Sequence, residues 1–308
     1  MVQIMMSTYN GEKYIDEQIK SLLNQHNVDL RIMIRDDGST DETVKRISSF
    51  ANDSSIPISI HQEDNVGVVK SFFSLIQAVS LECDYYAFCD QDDVWESRKL
   101  ARAIELISSE KEGIPVVYCS ATNMVNEQLS HLKNWPERPR RQLSMYNALV
   151  ENVCVGCTMV MNREAMKLIK ENTPKHLGKI IMHDWWIYLC ISTFGKVLFD
   201  EQSAILYRQH SSNVLGGENV GVISKWRRRF KRFRNGQNYY ILSQQAEEYL
   251  EIYSDLLDDV RFTDIKEFVD KCRSNVFQRI AYSLTTPFYR QSKMDNLIYK
   301  IIFIAGKV

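Results

Sequence analysis

The sequence lacks three features that would each assign it to a familiar class of protein. Its 308 residues hold no apolar run of the roughly 18 residues that a membrane-spanning helix needs. Met1 leads straight into a strand-like segment, so no signal peptide is expected. The net charge is only −1, which argues against a dedicated nucleic-acid-binding protein. With 44% apolar residues, the chain is expected to fold as one large or two smaller globular domains.

The seven cysteines do not suggest a disulfide framework. Their number is odd and most lie in apolar segments, which is typical of buried thiols in a reducing compartment. Cys154 and Cys157 have the spacing of a redox or zinc pair, but the sequence contains no second pair. We therefore expect structural thiols in a cytoplasmic protein.

Strands and helices alternate through the first third of the chain. Apolar periodicity predicts strands at Val2–Met6, Leu30–Ile34, Ile56–His61 and Tyr85–Cys89. It predicts helices at Glu12–Asn24, Thr40–Phe50, Gly67–Ser80 and Arg98–Ser109. Strands joined by single helices imply right-handed crossovers, and hence a doubly wound, mostly parallel α/β sheet. Such a sheet binds ligands at the carboxyl ends of its strands.

The pattern becomes less regular in the middle of the chain and helical near its end. Strands are predicted at Val116–Tyr118, Val155–Met161, Lys196–Phe199 and Ile205–Arg208, and helices at Arg163–Lys170 and Asp184–Thr193. Later helices are predicted at Ile223–Phe233, Asn238–Val260, Asp264–Tyr282 and Met294–Ile304. With a boundary near Gly216-Gly217, we expect an α/β domain over residues 1–220 and a helical region over residues 221–308.

Three carboxylates crowd the end of the fourth predicted strand. Asp90, Asp92 and Asp93 follow the apolar run Tyr85–Cys89. Such acids repel one another unless a cation or several hydrogen-bond donors compensate. Carboxylates at alternate positions suit a hard divalent cation, which in turn suits a diphosphate. The acidic first turn of the following helix is the structural alternative.

Polar loops follow the other predicted strands, at the same expected edge of the sheet. Their sequences are Ser7-Thr8-Tyr9-Asn10-Gly11, Arg35-Asp36-Asp37-Gly38-Ser39 and Asn65-Val66-Gly67-Val68-Val69-Lys70. A carboxylate there can accept from a nucleobase N–H or a ribose hydroxyl, and Gly67 permits close backbone approach. Lys70 has the reach and charge to contact a phosphate. Helix capping, a simple turn and a surface lysine are the alternatives.

In this order and spacing, the motifs resemble those of family 2 glycosyltransferases with the GT-A fold. The resemblance runs through residues 1–110 and continues to Tyr207-Arg208-Gln209-His210. The form Asp-Gln-Asp-Asp-Val-Trp is similar to that of the rhamnosyltransferase-like subgroup of bacterial rhamnose-polysaccharide synthesis. The resemblance implies an inverting enzyme that uses a nucleotide-sugar donor and Mg²⁺ or Mn²⁺, with residues 1–220 as its catalytic domain.

The resemblance, together with the loop chemistry, also implies roles for individual residues. The expected nucleotide-binding residues are Thr8, Tyr9, Asn10, Asp36, Asp37, Asn65, Gly67, Lys70, Asp90 and Gln91. Asp92 and His210 would hold the metal ion, Arg208 would contact the diphosphate, and Asp184 would be the catalytic base, with His183 as a weaker rival. The expected acceptor-side residues are Gly156, Cys157, Trp185 and Trp186. A helix cap at Asp184 and a packing role for at least one tryptophan are the structural alternatives.

A basic, aromatic segment lies at Trp226–Arg234. Trp226, Phe230 and Phe233 fall on one helical face, flanked by Arg227, Arg228 and Arg229. This pattern is typical of a helix that lies in an anionic membrane surface. Packing on the catalytic domain is the alternative. The last helix is expected to add a membrane contact through Tyr299, Lys300, Ile302 and Phe303.

We therefore expect a cytoplasmic enzyme that is peripherally associated with the inner face of the cell membrane. The favoured reaction transfers L-rhamnose from dTDP-rhamnose to a hydroxyl of a polyprenyl-linked precursor of a cell-surface polysaccharide. A UDP-hexose transferase of capsule or cell-wall synthesis remains open, as does a non-catalytic nucleotide-sugar-binding subunit of an assembly complex. No nucleic-acid partner is expected. The oligomeric state, the acceptor linkage, and the choice between Asp36 and Asp37 as base contact also remain open.

Overall fold

The computed structural model of the protein describes residues 1–210 and 239–308. The strands in these residues are β1 Val2–Thr8, β2 Leu30–Asp36, β3 Ile58–Gln62, β4 Tyr85–Cys89, β5 Val94–Trp95, β6 Val116–Ser120, β7 Thr122–Val125, β8 His131–Trp135, β9 Val160–Asn162, β10 Lys196–Asp200 and β11 Ile205–Arg208. The helices are α1 Ile15–Leu23, α2 Thr43–Asp53, α3 Val68–Ala78, α4 Lys99–Ser108, α5 Met145–Ala148, α6 Arg163–Glu171, α7 His183–Phe194, α8 Ile241–Tyr253, α9 Asp259–Cys272, α10 Val276–Thr285 and α11 Lys293–Ile304.

A seven-stranded sheet with the order β10-β6-β9-β4-β1-β2-β3 forms the centre of the fold. All its strands run parallel except β9, which pairs antiparallel with both β4 and β6. The predicted mostly parallel α/β sheet is therefore confirmed. A second, four-stranded sheet with the order β5-β11-β7-β8 was not predicted as a sheet.

Helices cover both faces of the central sheet. Side chains of a strand alternate between its two faces, and in β1 Ile4 and Met6 join the core beneath α1, α2 and α4, whereas Met5 joins the core beneath α3, α6 and α7. All three side chains are fully buried. A strand that is apolar at consecutive positions is therefore explained by burial on both faces.

The helices after residue 239 share the core on the α7 side of the sheet. Trp186 packs against Tyr249 and Tyr253 of α8, with ring centroids 5.6 and 6.1 Å apart. The buried carboxylate of Glu248 lies 3.3 Å from the ammonium of Lys179 and so ties α8 to the segment between α6 and α7. The predicted domain boundary near residue 220 lies outside the described residues and stays a prediction. The predicted membrane segment Trp226–Arg234 lies there too.

Three predicted elements differ from the observed ones. Val155–Met161 is a 3-10 turn followed by the short strand β9, because Thr158 donates to the carbonyl of Val155 at 2.7 Å. The helix predicted over residues 264–282 is interrupted, since Asn275 caps a new helix by accepting from the N–H of Gln278. The predicted Asn238–Val260 helix ends at Tyr253, before α9 begins.

The outward face of the last helix also differs from the predicted one. Tyr299 and Phe303 were expected to contact a membrane, but both are 2% exposed and belong to the core. That expectation is wrong for these two residues. Among the helices of residues 1–210 and 239–308, none combines the length and the apolar character needed to span a bilayer.

Candidate active site

A cavity of about 740 Å³ opens at the carboxyl ends of β1, β2 and β4. Its volume falls in the range that is typical of small-molecule and cofactor sites. The predicted site residues that line it are Thr8, Tyr9, Asn10, Asp37, Asn65, Gly67, Asp90, Gln91, Asp92, Gly156, Asp184 and His210. The fold therefore brings together residues that lie as far apart as the first strand and β11.

Asp36 holds two loops together at the rim of the cavity. One carboxylate oxygen accepts from Thr8 Oγ1 at 2.8 Å and from Ser39 Oγ at 2.6 Å, and the other accepts from the Ser39 N–H at 2.8 Å. The side chain is buried and is not part of the cavity wall. These contacts give Asp36 a structural role.

Asp37, by contrast, forms part of the cavity wall. Its two oxygens accept from the N–H groups of Val66 and Gly67, each at 2.9 Å, and the carboxylate also pairs with buried Arg35. Gly67 has φ = 83°, a conformation that favours glycine, and a Cβ there would meet no atom within 4 Å. The backbone at Gly67 is therefore open to a ligand beside Asp37.

Gln91 fixes the first loop against the acidic loop. Its carbonyl oxygen accepts from the Tyr9 N–H at 2.8 Å, and its amide donates to the Tyr9 carbonyl at 3.0 Å. A Cβ at Gly11 would lie 2.4 Å from the Gln91 carbonyl oxygen, so a larger residue there would displace the Gln91 amide from this position. These two hydrogen bonds hold the Tyr9 backbone, while the Tyr9 side chain remains 48% exposed at the cavity.

The carboxyl groups of the acidic cluster lie close enough to raise one another's pKa. Burial raises the pKa of Asp90 to about 7, and the charges of Asp92 and Asp184 add to the rise. Burial, followed by the charges of Asp92 and Asp90, also raises the pKa of Asp93 well above its ordinary value. Asp93 Oδ1 accepts from a backbone N–H at 3.0 Å, whereas Oδ2 has no partner within residues 1–210 and 239–308. A cation at the cluster would relieve this repulsion.

Asp92 and His210 form a pair that suits a divalent cation. Asp92 Oδ2 lies 2.7 Å from His210 Nε2, and both residues line the cavity. Carboxylate oxygen and imidazole nitrogen are ligands that Mg²⁺ and Mn²⁺ accept. The donor set therefore fits the predicted metal.

A second group of donors lies behind the loop. Asp90, Asp93 and Cys157 place their ligand atoms within 4.8 Å of one another. Burial raises the pKa of the Cys157 thiol well above its ordinary value, so the thiol is protonated and a poor ligand. Cys157 and Asp93 are also absent from the cavity wall. Of the two groups, Asp92 and His210 are therefore the better candidate ligands for a metal ion.

Arg208 supports the acidic loop from behind and does not line the cavity. Its Nε donates to the Asp92 carbonyl at 2.9 Å, and its guanidinium also contacts the carboxylate of Glu17 and the carbonyl of Glu127. The side chain is only 2% exposed. The Arg208 side chain is therefore bonded to the acidic loop and lies outside the wall of the cavity in which a diphosphate was expected. Lys70 is exposed on α3 and likewise does not line the cavity.

Asp184 is the second residue of α7 and lines the same cavity as Asp92 and His210. Its two oxygens accept from the N–H groups of Gly156 at 3.0 Å and of Trp185 at 2.6 Å. Burial raises the pKa of Asp184 to about 6, although these hydrogen bonds act in the other direction. A carboxylate with this pKa is ionised at neutral pH and is a stronger base than an ordinary aspartate.

The rival base, His183, has the less suitable environment. Its ring stacks on Phe72 with centroids 3.9 Å apart and meets Phe88 edge-on. Burial lowers the pKa of His183 to about 3, which makes the imidazole a weak base. Neither ring nitrogen has a hydrogen-bond partner in the described part of the chain. His183 therefore contributes a neutral aromatic surface to the cavity.

The two tryptophans after Asp184 point away from the cavity. Trp186 is fully buried against α8, and Trp185 donates its indole N–H to the Ala148 carbonyl at 2.6 Å. Packing, the structural alternative, is therefore the environment observed for both. An aromatic residue that does line the cavity is Trp135 in β8, which is 41% exposed and was not predicted.

Several other cavity residues were missed by the sequence analysis. They include Lys13, Tyr14, Glu127 and Asn152. Lys13 and Glu127 pair at 2.6 Å across 114 positions of sequence, and Tyr14 lies 5.0 Å from the His210 ring. The Gly11-Glu12-Lys13-Tyr14 run directly after the first loop was the available signal, because such loops border the ligand site.

Known proteins resemble the chain in sequence and in fold. The family model for glycosyl transferase family 2 matches residues 3–169. The dTDP-rhamnosyl transferase RfbG of Shigella flexneri is 33% identical over 230 residues, which cover 72% of this chain and 77% of that protein. The UDP-Glc:alpha-D-GlcNAc-diphosphoundecaprenol beta-1,3-glucosyltransferase WfgD of Escherichia coli is 26% identical over 192 residues, covering 62% and 69%.

A solved structure extends the likeness to the whole fold. The S. aureus TarS 1-349 structure in complex with UDP-GlcNAc aligns with a TM-score of 0.62 and 16% identity, covering 100% of this chain and 81% of that one. The predicted fold class, family and enzyme class are thus confirmed. The chain belongs to glycosyl transferase family 2 and is a glycosyltransferase with a GT-A-like fold.

Proposed function

We propose that the enzyme transfers L-rhamnose from dTDP-rhamnose, with inversion, to a hydroxyl of a lipid-linked precursor of a cell-surface polysaccharide. The observation that carries the donor assignment is the 33% identity to a dTDP-rhamnosyl transferase over 72% of the chain. The lipid-linked acceptor is suggested by the diphosphoundecaprenol acceptor in the name of the E. coli relative.

The nucleoside is proposed to bind between the first two polar loops. Asp37 and the open backbone at Gly67 lie on this side of the cavity, together with Thr8 and exposed Tyr9. Both carboxylates are buried and hydrogen-bonded within the loops, but Asp37 lines the cavity and Asp36 does not, so Asp37 is the better candidate for contact with the base. Asp90 is proposed to face the ribose.

Asp92 and His210 are proposed to hold Mg²⁺ or Mn²⁺ beside the diphosphate. When bound, the ion supplies positive charge that stabilises the departing nucleotide. Arg208 contributes indirectly, because its hydrogen bond to the Asp92 carbonyl fixes the loop that presents the Asp92 carboxylate. The Arg208 backbone N–H also bonds Asp93, so one residue supports two members of the cluster.

Asp184 is proposed to remove the proton from the acceptor hydroxyl as its oxygen attacks the anomeric carbon. The hydrogen bonds from Gly156 and Trp185 orient the carboxylate, and its burial excludes much of the water that would compete. A Cβ at Gly156 would lie 3.0 Å from the His183 ring and 3.3 Å from Asp184 Cβ. Glycine at position 156 therefore keeps the base accessible.

The test is release of nucleotide from dTDP-rhamnose by the purified full chain with Mn²⁺, compared with UDP-glucose. Selective turnover of the dTDP sugar, lost in Asp184→Asn and Asp92→Ala, is the expected result. Retained turnover in both variants would contradict the proposed site.

A UDP-hexose donor is the second candidate. It is favoured by the E. coli relative, whose name specifies UDP-Glc, and preference for UDP-glucose in the same assay would select it.

Membrane association through Trp226–Arg234 also remains a proposal. Vesicle flotation of the full chain, compared with a variant in which Arg227, Arg228 and Arg229 are replaced by glutamine, tests it. Equal flotation of the two proteins would exclude a contribution of these cations.

A further inference from the structure

Helix α10 exposes a stripe of large apolar side chains. Phe277, Ile280 and Leu284 are 79%, 42% and 77% exposed. Their spacing of three and four positions places them on one face of the helix. The opposite face is occupied, since Tyr282 packs against Phe303 of α11 with ring centroids 5.4 Å apart. The exposed stripe is therefore not needed for packing within the described chain.

Helix α11 exposes a second stripe with the same spacing. Met294, Leu297 and Ile301 are 56%, 54% and 57% exposed, whereas Tyr299 and Phe303 turn inward to the core. Because α10 and α11 contact each other, the two stripes lie on neighbouring helices. Single exposed apolar residues need no explanation, but two full stripes on adjacent helices mark an interaction surface.

The same stretch of chain is strongly basic. Residues 276–308 contain one acidic residue, Asp295. They contain five cations, namely Arg279, Arg290, Lys293, Lys300 and Lys307. Five minus one leaves a net charge of +4 on these residues, whereas the whole chain carries −1. Lys293 is exposed and the other four cations are half-buried, with Arg279 donating to the carbonyls of Ile304 and Ser274, so part of this positive excess is available at the surface beside the apolar side chains.

We propose that the two apolar stripes, Phe277-Ile280-Leu284 and Met294-Leu297-Ile301, dock the enzyme on an anionic lipid membrane. Apolar side chains of such helices enter the boundary between headgroups and acyl chains, while cations are attracted to acidic lipids. A second copy of the chain is the poorer occupant, because the net positive charges of two such regions would repel each other. The proposal rests on the proposed function in one respect, since a lipid-linked acceptor gives the docking a purpose.

The surface differs from the membrane segment predicted from the sequence. Trp226–Arg234 lies outside the described residues, and the residues expected on α11 included two that are buried. The stripes of α10 and α11 use the opposite side of the last helix.

The experiment is flotation of the full chain with vesicles of equal parts phosphatidylglycerol and phosphatidylcholine. The test variants are Phe277→Ser/Leu284→Ser and Leu297→Ser/Ile301→Ser. Each lost apolar contact is expected to weaken vesicle binding by about tenfold. The matched control is Leu256→Ser/Val260→Ser, which replaces side chains that are 52% and 66% exposed outside both stripes. Binding should also fall with phosphatidylcholine alone and at high salt.

Three results would overturn the proposal: wild-type protein that does not float, stripe variants that float as well as the control, or a wild-type dimer that the stripe variants dissociate. Light scattering after size exclusion detects the third. Nucleotide release from dTDP-rhamnose in solution is measured in parallel. Unchanged release by the stripe variants separates docking from catalysis, whereas absent release by wild type would count against the proposed function alone.

Discussion

Replacement of Asp184 by asparagine is expected to stabilise the protein at neutral pH while removing its activity. Burial raises the pKa of Asp184 from 3.8 to about 6 in the folded protein. Below pH 3.8 the carboxyl is protonated in both folded and unfolded chains, so its burial carries no ionisation cost. Above pH 6 it is ionised in both, and the folded state bears the full cost. A shift of about 2 pKa units corresponds to about 3 kcal/mol.

The loss of a hydrogen bond in Asp184→Asn opposes this expected gain in stability. The carboxylate accepts from the N–H groups of Gly156 and Trp185, one at each oxygen. Asparagine has only one acceptor oxygen, so its amide would face one N–H donor and leave it unpaired, at a cost of about 1–3 kcal/mol. With a midpoint of about 2 kcal/mol for that cost, the variant should be about 1 kcal/mol more stable than wild type at pH 8. Its relative stability should fall by about 3 kcal/mol between pH 8 and pH 3.5.

Urea denaturation from pH 8 to pH 3.5, with a chelator present to remove metal linkage, measures both quantities. Asp29→Asn, at an exposed aspartate, is the control for the substitution itself. Transfer by Asp184→Asn should fall by about 10²–10⁴-fold, and wild-type transfer should decline below about pH 6 as the base is protonated. A stability difference that does not change with pH, or a variant that is less stable than wild type at pH 8, would refute the reasoning.

Three further substitutions test the proposed metal ligands Asp92 and His210, the support that Arg208 gives to the acidic loop, and the packing around Gly195. His210→Ala should raise the Mn²⁺ concentration for half-maximal activity by about tenfold or more, because it removes the partner of Asp92; an unchanged metal titration would count against the pair. Arg208→Lys should lower the free energy of unfolding by about 2 kcal/mol, since lysine cannot reproduce the bonds of the planar guanidinium, and it should weaken Mn²⁺ binding in calorimetry. Gly195→Ala should lower the unfolding temperature, because a Cβ would lie 2.0 Å from the Pro115 carbonyl oxygen; normal stability of this variant would show that the loop yields easily.

Much of the site follows from local sequence patterns. Tyr85–Cys89 was predicted as a strand and is one, because a short apolar run bounded by polar residues is readable without knowledge of its neighbours. The parallel arrangement then places the loops at Thr8, Asp37 and Asp90 on one edge of the sheet. The prediction that these residues line one cavity needed nothing beyond the order of strands and helices.

Other features depend on partners that are distant in sequence. Arg208 pairs with Glu17 across 191 positions, and no local pattern indicates that contact. Trp185 and Trp186 lie on α7, which is buried on nearly every side, so the helix offers no polar face to indicate their direction. The strands β5, β7 and β8 are only two to five residues long and lack a clear period.

The sequence by itself determined the α/β alternation, the acidic cluster and the family, since these depend on residue order and on short motifs. Only the tertiary structure decided whether a given side chain faces the cavity, the core or the solvent. It showed that Asp37 lines the cavity, whereas Asp36 and Arg208 do not. It also showed that Tyr299 is buried, whereas Leu297 on the same helix is exposed. The physical reason is that the last helix is apolar on more than one face, so only the neighbouring helices determine which face is buried.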